Sequence, residues 1–244
     1  MVTRYGVWLD GLPMEELDPA IYITDVQEQA PQMNVVTAPR AMGDGLFVTH
    51  RARERLSVIV RFAIREYDTA RRKDAMQKII SWARAGKYLA ISDRPGQRLR
   101  VEVDAMPTIT SALKWTQELT LTFVAYAMPF WQSEYPEIIA TSDVASRFVP
   151  GDAVKASVDV VITPTGSAVT VAVGSSRITL EGVADAIEIS HGDDGVLRIT
   201  SGGASILAKR TPESSDDLLA APGEINRFSI SGGSATFRVR GVWL

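Results

Sequence analysis

The stretch Leu-Ser-Val-Ile-Val-Arg-Phe-Ala-Ile at residues 56–64 decides the fold class of the first half of the chain. Its apolar side chains fall on every second position, namely Leu56, Val58, Val60, Phe62 and Ile64. Side chains on a β-strand point alternately to opposite faces, so a period of two indicates a strand with one buried face. The sequence therefore predicts a half-buried strand here.

The period changes directly after this strand. Four apolar residues follow the spacing i, i+3, i+4, i+7 of one helix face: Met76, Ile79, Ile80 and Ala83. Asp68 or Thr69 is suited to begin a helix as its N-cap, and Gly86 is suited to end it. The first half is therefore predicted to be an α+β domain, a β-sandwich or barrel with one helix.

Further strand candidates surround this strand and helix. In the first half they are residues 5–9, 20–26, 88–91, 99–103 and 118–128. In the second half eight short runs rich in β-branched residues are separated by turn residues: 158–163, 168–173, 177–180, 186–190, 196–200, 205–208, 227–231 and 236–242. Because no helical pattern interrupts these runs, the second half is predicted to be a β-sandwich, and the chain is mainly β.

Composition divides the chain near residue 134. Residues 1–133 carry 17 basic and 15 acidic side chains, whereas residues 134–244 carry 9 and 14. Residues 133–151 contain two prolines and end in Pro-Gly, as linkers often do. We therefore expect two domains, residues 1–134 and 135–244, joined by a linker at 133–151.

Composition also disfavours several classes of function. A formal net charge of −3 offers no basic surface for nucleic acid. The absence of cysteine excludes disulfides and thiol chemistry. No apolar run is long enough to span a membrane, and residues 1–10 lack the features of a signal peptide, so we expect a soluble protein that starts inside the cell.

Candidate catalytic and metal sites are few. The two histidines, His50 and His191, stand in no recognisable catalytic motif. His191 precedes the turn Gly-Asp-Asp-Gly at 192–195, which favours an exposed turn histidine. Asp193 and Asp194 offer oxygen ligands, but the residues around them lack the spacing of a calcium loop. The sequence therefore predicts no catalytic residue, metal site or cofactor.

Arg71, Arg72 and Lys73 lie at the start of the predicted helix, where the helix dipole disfavours cations. Local helix physics therefore does not explain them. Two interpretations remain: a solvated helix face, or a contact with an acidic surface of another subunit.

Residues 31–55 form the longest break in the pattern. Two apolar patches, at 35–36 and 46–48, flank Gly43-Asp44-Gly45, as in an extended hairpin with a glycine-rich tip. Such a hairpin could project as an arm that pairs with a neighbouring copy, or it could fold on its own domain. Both interpretations remain open.

The order of these features resembles the distal tail protein family of long-tailed siphophages. The resemblance rests on an opening strand with Gly11, the run 23–26, the hairpin through Gly43 and Gly45, the strand 56–64, a helix ending at 82–84, the segment around Asp93, the strand reaching Tyr-Ala-Met-Pro-Phe-Trp at 126–131, and the closing segments 221–228, 230–232 and 238–244. It covers nearly the whole chain. No single element is specific, so the resemblance rests on their joint order.

The resemblance implies a non-enzymatic structural virion protein. Family members form a hexameric ring of N-terminal domains at the distal end of the tail tube, with galectin-like C-terminal sandwiches outside. The implied partners are the tail tube protein, the tail-tip hub protein, the tape-measure protein and the receptor-binding or fibre proteins. DNA passes through the ring lumen without specific binding, and no membrane is involved. The implied location is the virion tail tip, after synthesis in the cytoplasm of the host bacterium.

The family also suggests that the hairpin and the helix contribute to ring contacts. The corresponding interface candidates are Arg40, Phe47, Arg51, Arg53, Arg71, Arg72 and Lys73. Two rivals stand beside this interpretation. One is a lectin-like adhesion module, although residues 157–219 carry no aromatic platform for a sugar. The other is a tail-associated cell-wall hydrolase, which lacks a recognisable catalytic set here.

Overall fold

The computed structural model describes residues 5–39, 46–107, 118–192 and 194–244. Contacts within the chain divide it into two compact units, Met1–Phe130 and Trp131–Leu244. Composition placed the division four residues later, at 134. Each unit is described by itself below.

The first unit contains two antiparallel sheets and a helix. Its elements are β1 (Val7–Leu9), β2 (Leu12–Pro13), a 3-10 turn (Met14–Glu16), β3 (Ile21–Pro39), β4 (Leu46–Ile64), α1 (Thr69–Ala85), β5 (Tyr88–Ile91), β6 (Gln97–Arg100), β7 (Glu102–Ala105) and β8 (Glu118–Ala125). One sheet runs in the order β3-β4-β8-β7, and the other includes β2-β1-β5-β6.

The alternating strand at 56–64 is confirmed as the centre of the first core. Its five alternate apolar side chains are almost completely buried, and β8 contributes Leu119, Leu121 and Phe123 beside them. Helix α1 covers this face of the sheet, since the Trp82 ring meets the Phe123 ring edge-on at 6.1 Å between centroids.

The helix boundaries are those expected from the sequence. The Asp68 carboxylate accepts hydrogen bonds from the backbone N–H of Ala70 (2.7 Å) and of Arg71 (3.1 Å), so it caps the first turn. Gly86 ends the helix, but not by adopting a left-handed conformation, because its φ is −85°. A Cβ at Gly86 would lie 2.1 Å from Leu9 Cγ, so close packing against β1 favours glycine.

The second unit is a β-sandwich. Its strands are β9 (Trp131–Ser133), β10 (Glu137–Thr141), β11 (Val144–Val149), β12 (Ala156–Pro164), β13 (Ala168–Val173), β14 (Ser176–Glu181), β15 (Ile187–His191), β16 (Leu197–Ser201), β17 (Ala204–Ser205), β18 (Leu219–Ala220), β19 (Glu224–Ser231), β20 (Gly233–Val239) and β21 (Val242–Trp243). One sheet runs β10-β20-β12-β15-β16-β17, with β18 also paired to β12, and the other runs β11-β19-β13-β14.

The two sheets share one core. Phe228 on β19 and Phe237 on β20 are fully buried and meet edge-to-face at 5.3 Å between centroids, so each sheet contributes one ring. Strands β9 and β21 pair with each other and lie in neither sandwich sheet, with Trp131 opposite Trp243. The prediction of a sandwich in the second half is confirmed.

Two local predictions in the second half are wrong. The expected linker at 133–151 forms β10 and β11, which are outer strands of the two sheets. Each buries only one apolar side chain, Ile139 or Val149, so their alternation is weak. The expected strand at 205–208 is interrupted because the chain enters a 3-10 turn at Leu207–Lys209 and leaves the sheet.

Candidate functional site

The most unusual feature of the first unit is the hairpin of β3 and β4. The two strands are 19 residues long each and pair from Ile21 opposite Ile64 to Pro39 opposite Leu46. Strand β8 accompanies β4 only from Leu56 to Ala63. The remaining part, residues 32–39 with 46–55, is called the ribbon below. Within the described residues it consists of two strands only.

The ribbon exposes apolar side chains. Met33 and Val35, two residues apart and so on one face, are 51% and 46% exposed. An isolated two-stranded ribbon is marginally stable in water, and exposed apolar side chains add to the cost. The ribbon therefore exposes apolar side chains that its own unit does not cover.

The interface candidates of the hairpin are placed only in part. Phe47 and Arg51 lie in β4 opposite Ala38 and Val35, and Arg53 is half-buried opposite Met33. Arg40, Gly43 and Gly45 lie outside the described residues.

The sheet that bears the ribbon has two outer strands, β3 and β7. Within the described residues, each pairs with one strand of the sheet only. An outer strand presents backbone N–H and C=O groups along its free side, which suits it to pairing with another chain.

The face of this sheet opposite the core is polar. Thr24 Oγ1 donates to Glu118 Oε1 at 2.7 Å, and Arg61 reaches Asp25 Oδ2 at 3.1 Å and Gln27 Oε1 at 3.2 Å. Arg61 is therefore paired with a carboxylate, while Glu118 meets a hydroxyl. The face combines hydroxyl, amide and carboxylate groups with two arginines, Arg61 paired with Asp25 and Arg65 stacked 4.0 Å over the Tyr22 ring.

The three cations at the start of α1 serve different purposes. Arg71 and Lys73 are exposed; 78% of the Arg71 side chain is accessible, and its Nη1 lies 3.9 Å from Glu66 Oε2. Arg72 is 8% exposed. Its Nη1 donates to the carbonyl oxygens of Glu66 (2.6 Å) and Tyr67 (2.7 Å), and its Nη2 donates to Thr69 Oγ1 (2.9 Å).

Contrary to the expectation that local helix physics does not explain these cations, Arg72 has a local structural role. Its guanidinium fastens the segment before the helix to the first turn. The sequence held a signal for this, because Arg72 precedes Met76 by four residues and Ile79 by seven, and so continues the buried stripe.

The histidine considered as a catalytic candidate, His191, makes structural contacts. The interpretation of His191 as an exposed turn histidine is wrong. Its side chain is 5% exposed, and its ring nitrogens lie 3.0 Å from Asp159 Oδ1 and 2.6 Å from Asp217 Oδ1. Both nitrogens are occupied, so neither can act as a general base in this arrangement. His50 lies in β4 opposite Val36, and its side chain is not described.

The acidic turn shows no metal site in its described part. Asp194 accepts two hydrogen bonds from the Arg198 guanidinium, at 3.0 and 2.7 Å, and one from the backbone N–H of Val196. Asp193 lies outside the described residues. No cluster of three or more potential metal-ligating side chains occurs in the described ranges. In the same ranges, no helix is both long and apolar enough to cross a membrane.

Comparison by sequence finds no match among protein-family models and none among curated proteins. Comparison by structure finds the Dit protein of phage SPP1, described as a paradigm of the hub adsorption apparatus in phages that infect Gram-positive bacteria. The TM-score is 0.70, with 11% identity over 98% of this chain and 99% of that chain. The fold is that of a phage distal tail protein.

Two further solved structures are similar in fold to this chain. Both are chains of the phage P2 baseplate in its activated conformation, one with calcium and one with strontium. Their TM-scores are 0.53 and 0.52, each at 11% identity. The first covers 99% of this chain and 98% of its own, and the second covers 97% of each. The resemblance inferred from the order of sequence features is confirmed at the level of the fold.

Proposed function

We propose that this chain is a structural virion protein of a long-tailed phage or prophage. It forms a hexameric ring at the distal end of the tail tube and acts as the hub between the tube, the tail-tip hub protein and the receptor-binding apparatus. The observation that supports this most strongly is the full-length likeness to a hub adsorption protein, over 98% of one chain and 99% of the other. Residues 1–134 build the ring, and residues 135–244 form a peripheral sandwich.

The topology of the first unit suits ring formation. A ring arises when one surface of each copy binds a different surface of the next and the rotation closes. Strands β3 and β7 form the two opposite edges of the same sheet, so the β3 edge of one copy can approach the β7 edge of the next. Six copies of this four-stranded sheet would supply about 24 strands. Closed barrels with fewer strands already enclose a wide channel, so a ring of this size has room for a central lumen.

The polar face of the sheet suits a channel for DNA. A polyanion is retained by clustered lysine and arginine, because phosphate binding releases condensed counterions. On this face Arg61 is paired with Asp25, and Glu118 adds negative charge. With this face towards the lumen, DNA passes without specific binding.

The ribbon and the helix start supply the remaining contacts. The face of the ribbon with Met33 and Val35 is covered by a neighbouring copy, together with Arg40, Phe47, Arg51 and Arg53 of the same hairpin. Arg71 and Lys73 meet an acidic surface of the neighbour. Arg72 assists from within its own chain, because it holds the start of α1 in place.

Native mass spectrometry of variants tests this assignment. The double variant M33S/V35S should lower the fraction of rings at a given concentration, because it removes an apolar contact. The matched control is Val196→Ser, since Val196 is also exposed but lies in the second unit. Equal ring fractions in the double variant and the control would contradict the role of the ribbon.

Charge reversal tests the helix start in the same assay. Lys73→Glu should weaken the rings, and more so at low salt, where charge interactions are screened least. Lys155→Glu is the matched control, because Lys155 is an exposed lysine of the second unit. If both changes have the same effect, Lys73 does not face an acidic neighbour.

A second candidate function is glycan binding by the second unit. Phe148 on β11 is 54% exposed and lies directly opposite Ile225, which is also exposed, on the outer face of its sheet. Aromatic faces of this kind can stack on sugars. A glycan array with the full chain and with Phe148→Ala tests it: binding that disappears in the variant supports this function, and no binding by the full chain contradicts it.

A further inference from the structure

One segment of the second unit, residues 206–218, connects the two sheets of the sandwich and is called the strap below. It begins after β17 in one sheet and runs along β14, the outer strand of the other. The backbone N–H of Thr211 donates to Thr179 O at 3.0 Å, and that of Ser215 donates to Arg177 O at 2.6 Å. The strap then returns to the first sheet, where Leu218 O accepts from the N–H of Val158 on β12 at 3.0 Å.

Side chains of the strap also cover the edge of β14. Ser214 Oγ accepts from the N–H of Thr179, and Ser215 Oγ accepts from the N–H of Arg177, both at 2.9 Å. When the strap is closed, these two donors at the edge of β14 are satisfied. When it opens, both lose their partners in the strap.

His191 holds the end of the strap that lies on β12. One ring nitrogen, Nδ1, lies 3.0 Å from Asp159 Oδ1 on β12, and the other, Nε2, lies 2.6 Å from Asp217 Oδ1 on the strap. Asp159 Oδ1 also accepts from the backbone N–H of His191, and Asp217 Oδ1 from that of Leu218. The ring therefore bridges the sheet and the strap.

Three other charged side chains surround the bridge formed by His191. Arg238 on β20 stands opposite Asp159 in register. Arg198 on β16 is paired with Asp194. Asp216, the neighbour of Asp217, points to solvent and lies 3.5 Å from Arg210.

Geometry decides the protonation state of the bridge. A neutral imidazole carries one N–H, and its second nitrogen is an acceptor that would face an ionised carboxylate. Only the imidazolium donates from both nitrogens, so the arrangement requires a bound proton when both carboxylates are ionised. Loss of that proton leaves two carboxylates beside a neutral ring.

We propose that the His191 imidazolium is a proton-dependent clasp that keeps the strap closed over the edge of β14 and releases it when the proton is lost. The clasp is independent of ring assembly, because all its parts lie within one unit of one chain. It makes the local stability of the strap, and access to the β14 edge, dependent on pH.

The surroundings of His191 determine the pH range. Burial lowers the pKa of His191 and is the largest single influence, but the hydrogen bonds and charges of Asp159 and Asp217 together raise the pKa above its ordinary value of 6.5. Because the pKa of His191 is raised when the strap closes, the bound proton stabilises the closed strap fully below pH 6.5. That stabilisation is lost as the pH rises through the raised pKa.

The test combines NMR titration of histidine-labelled full-length protein with hydrogen exchange of the strap. Labelling reports His50 and His191, and His191→Gln identifies the His191 signal. The His191 pKa should exceed 6.5. The protection of the Thr211 and Ser215 amides, corrected for intrinsic exchange, should fall through the same pH range. The total fall should be about tenfold for each unit by which the His191 pKa exceeds 6.5.

A matched pair of variants isolates the bridge. Asp217→Asn keeps an oxygen for Leu218 N–H but removes the charge, so the His191 pKa should fall towards 6.5 and strap protection should lose much of its pH dependence. Asp216→Asn removes the adjacent carboxylate and should change neither. The proposal is overturned if the wild-type His191 pKa is at or below 6.5, if strap protection does not follow that pKa, or if both variants behave alike.

Discussion

Replacing Arg72 by alanine should destabilise the first unit, although Arg72 belongs to a run of cations at a helix start. The side chain is 8% exposed and donates three hydrogen bonds, two of them to main-chain carbonyls. A hydrogen bond to a charged group contributes about 1.5–3 kcal/mol when its partner stays buried. Water can reach the carbonyls of Glu66 and Tyr67 after truncation, so we expect a total loss of about 2–4 kcal/mol.

The measurement is urea unfolding followed by the helical circular-dichroism signal, which reports on α1. Arg71→Ala is the matched control, because Arg71 is exposed and should change the free energy of unfolding by less than about 0.5 kcal/mol. Arg72→Met keeps the buried methylenes and isolates the hydrogen bonds. If Arg72→Ala is as mild as Arg71→Ala, the structural role of the buried guanidinium is refuted.

Three further predictions concern single positions. Phe228→Ala should cost about 3–5 kcal/mol in unfolding free energy, because it opens a cavity beside Phe237; a loss below 1 kcal/mol would contradict a close-packed core. Gly232→Ala should lower the thermal unfolding midpoint more than Gly202→Ala. Both glycines have positive φ, but only at Gly232 would a Cβ meet a backbone oxygen, at 2.2 Å. Equal losses would show that the chain relaxes around residue 232. The N–H groups of Arg71 and Ala70 lower the pKa of Asp68 below 3.8, so the cap should stabilise α1 above that pH and be lost as the pH falls through the lowered pKa. Asp68→Asn should remove this pH dependence, as followed by the helical signal, and an unchanged acid profile would argue against the cap.

Periodicity predicted the elements that build the cores. The strand at 56–64 and the helix stripe around Met76 were identified because most of their apolar residues face one side. Strands β10 and β11 were missed for the opposite reason: each is an outer strand that buries a single apolar residue. Their proline-bounded polar sequence is that of a linker as much as that of an edge strand.

The contacts of the polar residues were harder to predict. The partners of His191 lie 32 and 26 residues away, so only the fold brings the three side chains together. Arg72 could have been recognised from its place on the helix stripe. The length of the hairpin could not, because residues 33–37 of β3 are all exposed and give no alternation of buried and exposed positions.

Native mass spectrometry of the full-length chain, paired with negative-stain electron microscopy, is the direct test of ring assembly. We expect a species of six times 26.6 kDa and ring-shaped particles with a central channel. A monomer that persists at every concentration examined, with no rings in the micrographs, would contradict it.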